Sequence, residues 1–303
     1  MRTRWLVWLS LLLPMGAVAA HEGENLTPSN FLHHWNTDPL VLMCLLAATW
    51  LYSRGVINLW RRVGRGRGVR GWQVGCFWVG ILMLFVALIS PIDLLGAQLF
   101  SAHMLQHMLL VAAAAPLLAL AAPLVGLLWA FPAQRKFFGQ FSRLPAVRFA
   151  ASVTGAPMPV WLLHISALWL WHIPALYEAA LTHPLIHSIE HASFFGTAFL
   201  FWWQVFHARP IGTAVLALFT MMIANGVLGA LITFASSAWY PAYAASVSAW
   251  HLTPLEDQQL AGVIMWLPMG VVYLAATLLR IADFLKETAI SDARHASAND
   301  RLA

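Results

Sequence analysis

The chemically suggestive feature of this 303-residue chain is a pair of histidine series spaced by four residues: His103 and His107, then His183, His187 and His191. On a helix, residues i and i+4 share a face about one turn apart, so each series aims its imidazoles one way. Imidazole nitrogens are ligands for copper, iron and zinc. Glu190, three residues after His187, adds a carboxylate beside them. One such pair is commonly packing or coincidence. Two pairs entering a membrane from the same side offer three or four nitrogens to a single ion. Asp93, His172 and Asp257 are further candidates, either as ligands or as acceptors that fix the tautomer of a ligand imidazole. Asp257 precedes an apolar run and is equally suited to capping a helix. The metal-ligand set expected from sequence is therefore His103, His107, His187, His191, Asp93, His172, Asp257, His183 and Glu190, with no catalytic group evident. His164 lies deeper in its apolar stretch and reads as a hydrogen-bonded core residue.

The elements that must position these groups are membrane helices. The chain is 60% hydrophobic and 10% charged, with 16 Trp and a mean hydropathy of +0.71, which is too apolar for a water-soluble domain of this length. Residues 1–20 carry Arg2 and Arg4, an apolar run and then Ala17-Val18-Ala19-Ala20, the order of a secretory signal peptide with cleavage near His21. An uncleaved first helix is the alternative. Residues 21–38 are polar and expected in the periplasm. Seven later stretches qualify by length and apolarity to cross a bilayer: residues 40–57, 72–92, 102–130, 160–176, 185–206, 211–234 and 260–281. The third contains Pro116 and Pro123 and should be tilted or kinked. The expected fold is an all-α membrane protein, a bundle of about seven transmembrane helices over residues 39–285, followed by a cytoplasmic polar tail at 286–303.

Orientation follows from the basic residues, which cytoplasmic loops retain. Arg54, Arg61, Arg62, Arg65, Arg67 and Arg70 follow the first stretch; Arg135, Lys136, Arg143 and Arg148 follow the third; Arg209 follows the fifth; Arg280, Lys286, Arg294 and Arg301 close the chain. An outward N-terminus and an inward C-terminus put all of these inside, in the bacterial inner membrane. The outer segments then hold ten histidines, including His21, His33, His34 and His251, together with Glu22, Glu24, Asp38, Glu178 and Glu256, and no Lys or Arg. Sorting by charge explains the missing bases but not the concentration of histidine. Such a face attracts a cation. Copper is the first choice on the Irving–Williams order, with iron or zinc as alternatives. The two cysteines, Cys44 and Cys76, form no metal-binding spacing.

Four motifs in order carry a family resemblance: Ser101-Ala102-His103-Met104-Leu105-Gln106-His107-Met108-Leu109-Leu110 with Pro116 and Pro123 behind it; Trp169-Leu170-Trp171-His172-Ile173-Pro174-Ala175-Leu176-Tyr177; His187-Ser188-Ile189-Glu190-His191; and Asp257-Gln258-Gln259-Leu260-Ala261-Gly262. Over residues 93–281 the chain resembles the multi-spanning CtaG family of cytochrome c oxidase assembly factors. The resemblance implies a role in maturing the copper centres of a haem-copper oxidase, with the copper-carrying oxidase subunits and membrane lipid as partners. The cysteine motif of the single-span copper chaperone that shares the family's name is absent.

Rival readings are weaker on the residues. A metal-dependent, di-iron type membrane oxidoreductase would need about eight histidines on the cytoplasmic side. Bis-histidine haem binding would leave the propionates without a basic partner. A transporter would want ionisable residues through the membrane, where His164 and Asn225 stand almost alone. Nucleic acid is not indicated, since the basic loop at 61–70 is a topology anchor near anionic lipid.

Overall fold

The structure, a computed structural model, describes residues 26–134, 140, 143–207 and 210–299. The expected signal peptide, and with it His21, Glu22 and Glu24, lies outside the described residues.

Proline punctuates the chain. Its fixed φ suits the first helical position, where its missing N–H is not needed, and eight of the helices among the described residues begin on one. In order the helices are α1 (Pro39–Val63), α2 (Gly71–Leu88), α3 (Pro91–Gly96), α4 (Phe100–Leu120), α5 (Pro123–Ala130), α6 (Pro145–Gly155), α7 (Pro157–Trp171), α8 (Pro174–Thr182), α9 (Pro184–His207), α10 (Ile211–Thr233) and α11 (Pro254–Asn299). Short 3-10 turns fill several of the links, and no strand occurs among the described residues.

Five of these helices, α1, α2, α4, α10 and α11, are long and apolar enough to cross a membrane. A sixth span results if α6 and α7, bent by 79° at their junction, count as one. The remaining stretch expected to cross, at 185–206, is helical as α9, but its first turns carry His187, Glu190 and His191. Large apolar side chains such as Leu46, Trp78, Leu216, Val271 and Leu279 face outward, as lipid-facing residues must. Glycine lets two helices touch backbone to backbone: a Cβ at Gly262 of α11 would stand 2.7 Å from the Gly229 carbonyl oxygen of α10 and would collide with the Thr233 hydroxyl.

The stretch at 102–130 is not one rod. It breaks after Leu120, where Ala122 takes a left-handed backbone (φ 52°) before Pro123 starts α5. Within α4, residues Leu109–Ala114 are wound as a π-helix, with the Ala115 N–H bonding to the Leu110 oxygen. In that i to i+5 register the Val111 carbonyl would accept from residue 116, which is a proline without an N–H. The Trp202 indole of α9 supplies the missing donor, 3.0 Å from the Val111 oxygen. Both the tryptophan (1% exposed) and this carbonyl lie in the core. Trp202→Phe should lower stability by roughly 3 kcal/mol, the sum of an orphaned carbonyl and a small cavity. Thermal unfolding in detergent measures it, and a loss under about 1 kcal/mol would mean the carbonyl finds another donor.

The α4 helix is the most enclosed span, with 61% of its apolar window buried against 17–33% in the other four. Its first turn lies at the same end of the bundle as the start of α1, where Asn36 donates to Asp93 (2.7 Å) and to the Ile89 oxygen through its backbone (2.9 Å). The Arg61–Arg70 segment is at the other end, between the close of α1 and the start of α2. Cys44 and Cys76, near the starts of these antiparallel neighbours, are both free thiols.

Candidate metal centre

Two helices build the centre. The second and third turns of α4 carry His103 and His107, and the second and third turns of α9 carry His187, Glu190 and His191. The i,i+4 spacing stacks each pair on one face, and packing of α4 against α9 turns the two faces together. Nitrogens of His103, His107 and His191 and an oxygen of Glu190 all lie within 4.8 Å of one another. His103 Nε2 is 3.6 Å and His107 Nε2 is 3.8 Å from the Glu190 carboxylate. Ring centroids of His103 and His107 are 4.3 Å apart, and those of His107 and His191 5.3 Å. His187 flanks the group, its ring 4.1 Å from His191 and 5.5 Å from His103.

Burial is what sets this cluster apart from a surface patch. His103, His107 and Glu190 are 1%, 2% and 0% exposed. Buried polar atoms are normally hydrogen-bonded, yet both Glu190 oxygens, both His107 nitrogens, and the Nε2 atoms of His103, His187 and His191 have no hydrogen-bond partner among the described residues. The His–Glu separations exceed the 2.7–2.9 Å typical of a charge-assisted hydrogen bond. They are close to the roughly 3.4 Å between two ligands that share a tetrahedral ion at about 2.0–2.1 Å each. The donor set therefore fits one ion of intermediate softness, with three imidazoles and one carboxylate.

The other sequence candidates are placed differently. Asp257, at the start of α11 and 1% exposed, reaches across the bundle to the N-terminus of α4. It accepts from the backbone N–H groups of Phe100 (2.7 Å) and Ser101 (3.1 Å) and from the Ser101 hydroxyl. It caps a helix, but not its own. Asp93 in α3 accepts from Gln106 (2.6 Å) and Asn36. Burial pushes its carboxyl up, and these two hydrogen bonds draw it part of the way back. His172 is buried at the end of α7, outside the four-ligand group. His183 is the exposed residue between α8 and α9. His164 hydrogen-bonds to the Thr197 hydroxyl at 2.9 Å, as a core residue would.

A family model described as cytochrome c oxidase caa3 assembly factor matches residues 50–287, most of the chain and every residue of the cluster. The chain belongs to this family. Among its curated relatives are uncharacterized proteins of Mycobacterium bovis and Mycobacterium tuberculosis, each 24% identical over 99% of the chain, and one of Mycobacterium leprae at 23% over 98%. The chain spans 45% of the length of each of these relatives. No solved structure matches it.

Several residues of this family member hold the centre without having stood out as ligand types. Gln106, fully buried one turn after His103, ties α4 to the Ala87 carbonyl (2.9 Å) and to Asp93. The Tyr177 ring lies 5.1 Å from His103. Its hydroxyl is 2.6 Å from that of Tyr243, which in turn donates to the Gly96 oxygen at 3.0 Å, so Tyr177 is the donor to Tyr243. These tyrosines wall the cluster from the side of the loop before α11. The i+3 spacing of Gln106 from His103 could have flagged it, whereas the tyrosines, 66 residues apart, carry no local signal.

Proposed function

We propose that this chain is an assembly factor for cytochrome c oxidase that handles a copper ion for the oxidase's copper centres, using His103, His107, Glu190 and His191 as ligands. One observation carries the reading: a fully buried glutamate whose two oxygens lack any hydrogen bond among the described residues, faced by three imidazoles with unpartnered nitrogens. A bare carboxylate in that position is costly, and a cation among the four groups removes the cost. Membership of the caa3 assembly family supports oxidase maturation as the purpose. Copper is preferred over zinc and iron for the same donors by the Irving–Williams order.

In this reading the chain spans the bacterial inner membrane seven times, with α7 and α9 completing the set, N-terminus outward and C-terminus inward after a signal peptide. The arginine-bearing end of the bundle faces the cytoplasm. The His/Glu group then opens toward the periplasm, where the copper-carrying oxidase subunits would receive the ion, and His183 and His187 stand on its approach. Three neutral imidazoles and one carboxylate give a divalent ion partial charge compensation and leave it able to depart, as a transfer site requires.

The experiment is complementation. In cells lacking the gene, membranes should contain oxidase with depleted copper and correspondingly low activity. The parent chain should restore both, and a chain with His103, His107 and His191 changed to Ala should restore neither while accumulating to the same level. Full restoration by the triple variant would remove the centre from the function. A deletion strain whose oxidase keeps its copper would remove copper from the role.

A further inference from the structure

We propose that His172 and Met104 form a second, softer metal subsite, one that takes a monovalent ion such as Cu(I) beside the His/Glu group. The proposal rests on the metal-handling reading above but on different atoms. His172 ends α7 and is 6% exposed; Met104, 0% exposed, lies on α4 between His103 and His107 in the chain. Successive helix positions are rotated by about 100°, so Met104 points off the face that carries the two histidines.

The tautomer decides what this pair can do. His172 Nδ1 is 2.6 Å from the Leu168 carbonyl oxygen. A carbonyl only accepts, so Nδ1 carries the ring proton and Nε2 holds the lone pair. That Nε2 faces Met104 Sδ at 3.4 Å, and a thioether has no proton to give. Exchanging the tautomer would let Nε2–H approach the sulfur, a weak acceptor, but would press the Nδ1 lone pair against an oxygen at 2.6 Å, the poorer arrangement. Two lone pairs thus confront each other in a buried place with no hydrogen between them. The backbone beneath is held as well: the Tyr240 hydroxyl donates to the His172 carbonyl at 2.8 Å.

An imidazole with a thioether is a donor set for soft ions. Bonds of about 2.0 Å to nitrogen and about 2.3 Å to sulfur, the zinc values, would span the 3.4 Å gap at an angle of roughly 105°. The flexible methionine can open the angle toward the linear geometry that a two-coordinate ion takes. No carboxylate belongs to the pair, so a divalent charge would be left uncompensated there, whereas the His/Glu group offers one. The two subsites therefore differ in preferred charge and softness. They adjoin across Phe194, whose ring lies 4.4 Å from His107 and 6.1 Å from His172, so the two sites are close neighbours in the bundle.

Silver(I), a soft closed-shell monovalent ion, tests this in the full chain purified in detergent. In a variant carrying His107→Ala and His191→Ala, divalent copper binding should be lost while one Ag(I) per chain still binds, with sulfur scattering in its X-ray absorption spectrum. Adding Met104→Leu, which conserves volume, should raise the Ag(I) dissociation constant at least about tenfold and remove the sulfur signal. Met43→Leu at a lipid-facing methionine (55% exposed) should do neither. Ag(I) binding and sulfur scattering unaffected by Met104→Leu would overturn the subsite, whatever divalent copper does. A parent chain that binds Ag(I) through Met104 but never binds divalent copper would instead sink the His/Glu reading and leave this one standing.

Discussion

Glu190→Gln is expected to weaken divalent copper binding by about two orders of magnitude while leaving the metal-free protein as stable as the parent or more so. The two effects share one cause. Without a metal, Glu190 is a fully buried carboxylate with neither oxygen hydrogen-bonded among the described residues, so neutralising it with an isosteric amide relieves desolvation rather than breaking a bond. With a metal, the same change removes the one anionic ligand from the group and leaves three neutral imidazoles. Saturation at a hundred times the dissociation constant stabilises a folded protein by about 2.7 kcal/mol, and a hundredfold weaker site at the same concentration by only about 0.4 kcal/mol. Thermal unfolding with and without copper therefore reads both signs at once. The parent should gain several degrees on adding copper and the variant almost none, from an equal or higher starting point. A variant that starts well below the parent would show that Glu190 is held by structural contacts, and one that keeps the full copper shift would show that it is not a ligand.

Asp257→Ala should cost about 3 kcal/mol of stability, among the largest single losses this chain offers outside the apolar core. The N-terminus of α4 has no cap of its own, since Leu99 supplies no side-chain acceptor. Asp257 reaches it from α11, 157 residues further along the chain, and takes two backbone N–H groups and a hydroxyl. Losing a cap costs about 1–2 kcal/mol, and bonds to a buried charge are worth about 1.5–3 kcal/mol, with a helix N-terminus favouring the anion further. Asp257→Asn keeps an acceptor and should lose about half as much. Because the freed turn carries His103, copper affinity should fall with stability in step. Lost copper binding at unchanged stability would reverse the assignment and make the carboxylate a ligand.

The long apolar helices could be read from the chain because their cause is local, whereas short helices such as α3 and α6 were not foreseen. Apolar runs set where the spans lie, and the structure starts several of them at prolines, Pro39, Pro157, Pro184 and Pro254, that the apolar pattern alone did not single out. The break in the third stretch was signalled by Pro123, though not that the chain turns at Ala122. The imidazole pairs were equally legible, since i,i+4 spacing guarantees a shared face whatever the helix packs against. Copper as the ion rests on the Irving–Williams order and on family resemblance, and seven crossings and the periplasmic direction of the cluster rest on charge sorting.

What no spacing could reveal is how each helix is rotated about its axis and which one lies beside it. The meeting of His103 and His107 with Glu190 and His191, of Asp257 with Phe100 and Ser101, of Trp202 with Val111 and of His172 with Met104 joins residues 68 to 157 positions apart or on separate helices. In lipid every helix satisfies its own backbone, and apolar side chains gain no hydrophobic free energy by leaving lipid for a neighbouring helix. Rotation and partnership are therefore decided by close packing, at contacts such as Gly229 against α11, and by the few buried polar groups that must find each other. For that reason the sequence could nominate nine ligands, while only the packed bundle separates four that converge on one point from those that cap, brace or face a sulfur.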